Sequence, residues 1–478
     1  MILERLYDES LAQASYIIAC EKTKRAAVID PTIDAGVYTR AAAAGKLTIT
    51  HVLETHVHAD FLSGGATLAA ETGAELCLSA EGDARWGYDF ASIPKARRLR
   101  DGDEISLGAV TLRALHTPGH TPEHLAFLVI DSTRGTSPVG ALTGDFIFVG
   151  DVGRPDLLER AAGAEGTMRA GASTLFKSLR KFLREQPDHL QLWPGHGAGS
   201  ACGKSLGSMP ASTLGYERLF NWALAQTSEE AFVNSVLKDQ PPPPRYFAEM
   251  KKENRLGKVV RNPAPPAELP ADSIQSALGG GATVVDTRAR EEFAAGHIPG
   301  TISIPFNRSF LNWAGALIDP ARDIVVIAEN AEAAKKIAAD IGKIGLGRLR
   351  GWFAPAVIER WKTTASGLET TEQVSVRDIH NNASSRTTIV DVRAPYEWAE
   401  GHIPGAVHIP LAELPAKAAE LAAAGNPVAV HCKGGGRSSI AASILRASGV
   451  ASVSNISEGF DGWAAAGFPV AHEESSEQ

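Results

Sequence analysis

The sequence predicts an α/β protein of several domains, and three observations lead there. The chain has 478 residues, and at roughly 150 residues per domain that length indicates about three domains. In residues 1–200, strand-like apolar runs alternate with loops that end in Asp, His or Gly, as expected of a layered α/β domain. The second half contains an internal repeat, which indicates tandem domains.

Composition and charge exclude several classes of protein. Hydrophobic residues make up 44% and charged residues 21% of the chain, which argues against a largely disordered protein. The net charge of −8 and the lack of a basic block argue against nucleic acid as a partner. Acidic residues near the start and the absence of a membrane-length apolar run lead us to expect a cytoplasmic protein without membrane association. A homodimer or higher oligomer is expected on base rates.

The repeat and the proline-rich stretches set the predicted domain boundaries. Asp286–Gly300 and Asp391–Gly405 are identical at ten of fifteen positions. Four consecutive prolines, which no helix tolerates, stand at 241–244. We therefore predict a first domain with C-terminal helices, a Pro-rich linker and two related α/β domains with central parallel sheets, at 1–237, 238–267, 268–366 and 367–473.

Histidine and aspartate cluster in four loops of the first domain. His56, His58 and Asp60 share one loop, His120 ends the next group, and Asp145 and His196 follow farther along. Imidazole and carboxylate suit zinc or iron, and the small flanking residues let several loops converge on one ion. The pattern therefore predicts a metal site.

These groups resemble the metallo-β-lactamase superfamily, whose signature is HxHxDH followed by distant His, Asp and His. The resemblance implies an αββα sandwich with the metal at the sheet edge. Phe61 replaces the last histidine of the signature, which argues for one metal only. The match within the superfamily is closest to glyoxalase II and the persulfide dioxygenases. The resemblance to the dioxygenases implies one Fe(II) per chain, held by His56, His120 and Asp145. It also implies that three neighbouring residues orient the ligands or bound water, namely His58, Asp60 and His196. With zinc instead, His58 could become a direct ligand.

Two further residues lie near this cluster. Arg154, in a loop that resembles the family's glycine-arginine loop, is predicted to hold an anionic sulfur oxide or a substrate carboxylate. Cys202 follows His196 by six residues and is either a thiol that handles sulfur or a bystander. Cys20 and Cys77 lie in apolar runs and are expected to be inert core residues.

Cys432 ends an apolar strand and begins a glycine-rich turn before a helix. Such a turn presents successive backbone N–H groups to negative charge, and a cysteine at its mouth should react as a thiolate. Four residues separate Cys432 from Arg437, so the loop resembles rhodanese rather than the cysteine phosphatases, which have five. The resemblance implies that Cys432 carries sulfur and Arg437 pairs with an anion, and that the substrate lies against Lys433, Gly434, Gly435, Gly436 and Ser438. The first copy has no cysteine near 325–330, so a structural or docking role is expected for it, with Glu329 repelling anions.

Together the two resemblances imply an enzyme of sulfide metabolism. A small-thiol persulfide would be oxidised with O2 to sulfite, and rhodanese sulfur transfer would make or use thiosulfate. One alternative is a zinc-dependent, glyoxalase II-like thioester hydrolase fused to a sulfurtransferase. Another is a non-enzymatic module that binds or senses persulfides.

Overall fold

The chain forms two units, Met1–Asn262 with Gly342–Gly345 and Pro263–Ile341 with Leu346–Gln478. The computed structural model describes residues 1–83, 85–163, 166–204, 206–260, 263–363, 367–382 and 386–472. Within these ranges, no helix combines the length and apolarity needed to cross a bilayer.

Two mixed six-stranded sheets build the first unit. The strands of the first sheet are adjacent in chain order: β1 (Ile2–Asp8), β2 (Gln13–Ala19), β3 (Arg25–Ile29), β4 (Thr48–Leu53), β5 (Glu75–Ser79) and β6 (Arg97–Leu99). The second sheet has the same simple order: β7 (Glu104–Ser106), β8 (Val110–His116), β9 (Leu125–Asp131), β10 (Gly140–Gly144), β11 (Gln191–Pro194) and β12 (Ser212–Thr213).

Apolar side chains from both sheets pack face to face, and helices cover the outer faces. Ile18 and Leu53 of the first sheet share one core with Phe127 of the second. Tyr38 packs outside the first sheet and Leu179 outside the second. The helices of this unit are α1 (Ala35–Ala44), α2 (Gly65–Thr72), α3 (Leu157–Ala162), α4 (Thr167–Glu185), α5 (Leu214–Phe220), α6 (Trp222–Ala225), α7 (Glu229–Leu237) and α8 (Tyr246–Arg255). The predicted αββα sandwich is confirmed.

Each repeat in the second unit has its own parallel sheet, as predicted. In the first copy the sheet order is β14 (Ile302–Ser303), β13 (Thr283–Asp286), β15 (Ile324–Ile327) and β16 (Leu349–Phe353). In the second copy it is β17 (Glu372–Val374), β21 (Val453–Ile456), β20 (Val428–His431), β18 (Thr388–Asp391) and β19 (Val407–His408). The helices are α9 (Ile274–Gly279), α10 (Arg290–Ala295), α11 (Phe310–Leu317), α12 (Ala331–Lys343), α13 (Ala356–Lys362), α14 (Val376–Asn382), α15 (Pro395–Ala399), α16 (Leu414–Ala424), α17 (Gly436–Ala447) and α18 (Gly459–Ala465).

The residues that match between the repeats make the same structural contacts in both. Arg288 binds both carboxylate oxygens of Asp286 and the carbonyl of Gly296. Arg393 makes the equivalent bonds in the second copy, to Asp391 and the carbonyl of Gly401. The histidine of each GHIPG turn stacks on the aromatic ring four residues earlier, with centroids 3.9 Å apart in the first copy and 3.5 Å in the second. The repeated motif therefore fixes the strand, helix and turn of each copy.

Candidate functional site

The three predicted metal ligands meet in one buried cluster of the first unit. His56 follows β4, His120 follows β8 and Asp145 follows β10, so three strands deliver them to one place. Their ligand atoms all lie within 4.8 Å of one another. Asp145 Oδ2 is 4.0 Å from His56 Nε2 and 3.5 Å from His120 Nε2.

Hydrogen bonds orient both imidazoles for metal binding. His120 Nδ1 donates to the carbonyl of Arg154 at 2.9 Å. The Thr55 hydroxyl donates to Asp30 and therefore accepts from His56 Nδ1, each at 2.9 Å. Nδ1 carries the proton in both rings, so each Nε2 presents a lone pair to the cluster.

The charge state of the cluster also suits a cation. Burial holds the pKa of His56 well below its usual value, with further lowering by His58 and His120, and burial also lowers the pKa of His120. Both carboxylate oxygens of Asp145 are buried without a hydrogen-bond partner in the described residues. Neutral imidazoles and an unsatisfied carboxylate fit a metal ion, which would replace the missing contacts.

His58 lies beside these ligands, with its ring centroid 4.2 Å from that of His56 and its Nδ1 buried without a hydrogen-bond partner in the described residues. Its Nε2 lies 3.1 Å from Asp30 Oδ1 and 3.1 Å from Glu54 Oε2. Burial alone would lower the pKa of His58, but the two carboxyl groups outweigh it and raise that pKa well above the usual value. Phe61 is fully buried, with its ring centroid 4.4 Å from that of His58. The His58 ring therefore belongs to a buried acid–base cluster next to the metal ligands.

A second group of ligand-type side chains lies beside the first. The ligand atoms of Asp60, His196 and Cys202 are within 4.8 Å of one another. His196 Nε2 lies 3.1 Å from Asp60 Oδ2 and 3.5 Å from Asp145 Oδ1, while its Nδ1 donates to the carbonyl of Ala12. Asp145 thus turns one oxygen toward each group. Burial raises the pKa of Cys202 well above that of an ordinary thiol, and Asp60 and Asp145 raise it further.

Arg154 has a different environment from the predicted one. Its guanidinium is fully buried and binds both carboxylate oxygens of Asp156, at 3.1 and 2.8 Å. It also donates to the carbonyls of Ala201 and Pro241, at 3.1 and 2.7 Å. Since protein groups take these donors and the side chain has no exposed surface, the predicted anion-binding role lacks geometric support. Arg154 instead ties three segments together behind His120.

Several residues that support the site were not predicted from the sequence. His124 accepts from the amide of Asp145 at 3.2 Å and so helps to place that ligand. Residues 238–267, predicted as a linker, include α8, whose Asn254 donates to the carbonyls of His58 and Phe61 at 2.9 and 2.7 Å. Asp30 was detectable as an acidic residue at a strand end, whereas nothing in the sequence marked Asn254.

Cys432 lies at the end of β20, with 2% of its surface exposed. The Ser438 hydroxyl is 3.5 Å from its Sγ. The amides of Phe460 and Asp461 donate to the carbonyls of Cys432 and Lys433, at 2.7 and 3.0 Å, and hold the loop from its outer side. The predicted strand, glycine turn and helix are therefore present, with α17 beginning at Gly436.

Arg437 is paired within the protein. Its terminal nitrogens lie 2.5 and 2.8 Å from the two carboxylate oxygens of Glu397 in α15. A planar guanidinium held by a carboxylate in this two-pronged manner has a fixed position, and its charge is balanced. Arg437 therefore fixes the loop relative to α15, which the spacing to Cys432 did not reveal.

The first copy has alanine where the second has its thiol. Pairing of β13 with β15, and of β18 with β20, aligns Ile327 with His431 and hence Ala328 with Cys432. Glu329, at the next position, lines a cavity of about 580 Å³. The cavity of the first copy therefore has an acidic side chain in its wall, Glu329, which was predicted to repel anions.

Comparisons with known proteins agree with this architecture. The model of the metallo-β-lactamase superfamily matches residues 10–196, and that of the rhodanese-like domain matches 270–348 and 375–466. A metallo-β-lactamase structure from Staphylococcus aureus is 39% identical, with a TM-score of 0.67, and the match covers 74% of this chain and 99% of that one. The chain belongs to the metallo-β-lactamase superfamily. Rhodanese-like domains follow its metallo-β-lactamase domain.

The relatives include enzymes of two kinds. A hydroxyacylglutathione hydrolase from Rhodospirillum rubrum is 33% identical over 181 residues, which are 38% of this chain and 60% of the relative. The mitochondrial persulfide dioxygenase ETHE1 from Bos taurus is 24% identical over 251 residues, covering 52% of this chain and 85% of the relative. The chain thus combines domains of two enzyme families with a cluster of metal-ligand side chains.

Proposed function

We propose that the first unit is a mononuclear non-haem iron persulfide dioxygenase and that the second copy of the repeat is an active sulfurtransferase. The composition of the central group carries the first part. It contains two histidines and one carboxylate, and His58, which a three-histidine zinc site would use, is grouped instead with Asp30 and Glu54 through its Nε2. Two histidines and one carboxylate are the ligand set of Fe(II) oxygenases, which leaves open positions on the ion.

In this proposal His56, His120 and Asp145 hold the iron. Bound Fe(II) would supply the redox chemistry with O2 and the coordination positions for a small-thiol persulfide. The protein keeps both imidazoles neutral and fixes each Nδ1 proton on an oxygen acceptor. The similarity to a persulfide dioxygenase over 85% of that protein supports this proposal over other oxygenase reactions.

Cys432 would carry sulfane sulfur either from a persulfide to sulfite, which gives thiosulfate, or from thiosulfate to a thiol. Its loop combines a thiol, the start of a helix and a glycine turn, which favour an anionic sulfur species. Thiosulfate is chemically linked to the dioxygenase reaction. That reaction produces sulfite, and sulfite becomes thiosulfate when it accepts sulfane sulfur. The product of the first activity, sulfite, is therefore a substrate of the second.

Metal analysis with activity assays tests the proposal. Protein purified without oxygen should contain about one iron per chain and consume O2 with a small-thiol persulfide. Asp145→Ala should lose iron and O2 uptake yet keep sulfur transfer from thiosulfate. Cys432→Ser should show the opposite pattern. Loss of both activities in both variants would contradict the assignment of two separate sites.

A zinc thioester hydrolase is the second candidate. The group of Asp60, His196 and Cys202 favours it, because Asp145 Oδ1 lies 3.5 Å from His196 Nε2 and could be shared with a second ion. The similarity to a hydroxyacylglutathione hydrolase also supports it. Two zinc ions per chain, thioester hydrolysis and no O2 consumption would establish this function and refute the dioxygenase.

A further inference from the structure

The cavity at Cys432 is built from both copies of the repeat. It has a volume of about 600 Å³, within the range of small-molecule pockets, roughly 300–1,000 Å³. Cys432, Arg437 and Ile440 line it from the second copy, and Arg290 and Trp313 line it from the first. The copy without a thiol therefore forms part of the wall around the thiol of the other copy.

Two arginines line this cavity among the described residues, and they differ in availability. Arg437 is held by both oxygens of Glu397, so its charge is balanced. Arg290 uses Nε to bind Glu291 at 2.7 Å, in a pair whose partners are 42% and 70% exposed. Exposed ion pairs of this kind are worth about 0–1 kcal/mol, so an incoming anion can compete with Glu291 for the guanidinium.

Arg290 also lies directly at the sulfur-carrying loop. Its Nη1 is 3.5 Å from the carbonyl oxygen of Gly434. A methyl group placed on Gly435 or Gly436 would be 3.5 or 3.6 Å from the same nitrogen. The arginine from the first copy thus reaches the glycine turn of the second.

The repeat shows that this arginine is specific to the first copy. In the aligned motifs DTRAREEF and DVRAPYEW, Arg290 corresponds to Pro395. The flanking residues that maintain the fold, Asp286 with Arg288 and Asp391 with Arg393, are the same in both copies. The copy that lacks the thiol therefore has a cation at a position where the copy with the thiol has none.

We propose that Arg290 binds the sulfonate group of thiosulfate at the mouth of the Cys432 pocket. The inference rests on the sulfurtransferase activity proposed above. The Cys432 thiolate attacks the outer sulfur of thiosulfate, a bond forms between Sγ and that sulfur, and the bond to the sulfonate sulfur breaks. Sulfite leaves with the electron pair, so one thiolate and one thiosulfate give one persulfide anion and one sulfite. Arg290 contacts the sulfonate oxygens before transfer and the departing sulfite after it.

Steady-state kinetics of the full-length protein with two sulfur donors tests this role. The donors are thiosulfate and the persulfide of 2-mercaptoethanol, which has no sulfonate and donates its outer sulfur in the uncharged, protonated form. Arg290→Ala should raise the KM for thiosulfate on the order of 10-fold, the loss expected for one hydrogen bond to a charged group in a partly solvated site. Its kcat at saturation and its KM for the uncharged donor should stay within twofold of wild type.

Two further variants sharpen the test. Arg290→Lys should recover part of the affinity, because a lysine supplies charge without the guanidinium fork. Arg322→Ala removes an exposed arginine elsewhere in the first copy and should leave both KM values unchanged. Added salt should weaken thiosulfate binding more in the wild type than in Arg290→Ala.

Three results would overturn the inference, and they can be told apart. An unchanged KM for thiosulfate in Arg290→Ala would exclude the contact. Equal increases for both donors would assign Arg290 a role in pocket structure instead. If mass spectrometry finds that wild-type Cys432 takes sulfur from neither donor, the sulfurtransferase itself is refuted.

Discussion

Replacing Arg154 distinguishes a structural role from the anion-binding role that the sequence predicts. Arg154 and Asp156 form a fully buried ion pair at 2.8 Å. Removing one partner of a buried pair typically costs about 3–5 kcal/mol. Arg160 Nε, 3.3 Å from the same carboxylate, remains as a partly exposed partner of Asp156, so we expect the lower half of that range. In a unit of this size about 3–4 kcal/mol corresponds to a fall of roughly 6–16 °C in unfolding temperature. We therefore expect Arg154→Met to unfold at a lower temperature than the wild type.

Metal content should fall in the same variant. The carbonyl of Arg154 accepts from His120 Nδ1, and its amide donates to the carbonyl of Cys202 at 3.3 Å. Displacing this backbone frees the His120 ring, and such losses of ligand orientation cost about 10–100-fold in metal affinity. Calorimetric unfolding and metal quantification on the same preparation measure both effects.

Companion variants keep the test decisive if Arg154→Met folds poorly. Arg154→Lys retains the charge and should be milder. The double variant Arg154→Met/Asp156→Leu removes both charges and should recover part of the lost stability, because the buried carboxylate that lost its buried partner is also removed. One result for Arg154→Met would refute the structural reasoning and restore the anion-binding role. This result is a normal unfolding temperature and iron content together with a KM for persulfide raised tenfold or more.

Two further predictions concern the sulfur-transfer loop. Gly435 has φ of +86° and an added Cβ would lie 2.3 Å from the carbonyl oxygen of Ser457, so Gly435→Ala should abolish sulfur transfer and spare O2 uptake. Gly425→Ala is the matched control, because Gly425 also has a positive φ (+69°) but its added Cβ meets no atom within 4 Å, so this variant should remain active. Burial raises the pKa of Glu397, but its bonds with Arg437 outweigh that effect and lower the pKa below 4.5. The pair therefore stabilises the protein above pH 4.5 and is lost as pH falls further, so Glu397→Gln should show a smaller drop in unfolding temperature between pH 7 and pH 4 than wild type.

Residue types and strand positions, together with the family resemblance, were sufficient to predict which side chains form the central cluster. His56, His120 and Asp145 each follow a strand-like run, and the edge of a layered sheet collects such residues. The environment of His58 could not be predicted in this way. Spacing places His58 two residues after His56, but its Nε2 is bound both by Glu54 of the same segment and by Asp30, which follows a different strand.

The roles of the arginines were the least predictable part of the site, because they too depend on partners that a motif does not show. Arg154 lies in a loop and Arg437 in the first turn of α17, two places where a free guanidinium would bind an anion. Each is instead paired with a carboxylate, Asp156 or Glu397, and a sequence does not reveal whether a cation's partner is a ligand or the protein. Burial and two-pronged geometry show which carboxylate each arginine pairs with in the fold, and neither can be derived from a motif.

The repeat is most informative where its two copies differ. Identity between them marks the contacts that any copy needs in order to fold, such as Arg288 with Asp286 and Arg393 with Asp391. Where the two copies differ at a position that lines the Cys432 cavity, folding does not require the residue that is present. Replacement of the thiol by Ala328 removes the chemistry from the first copy, while Arg290 places a cation beside the thiol that remains. A copy kept only as structural support would need no charge there, so the position of Arg290 argues for a part in substrate binding.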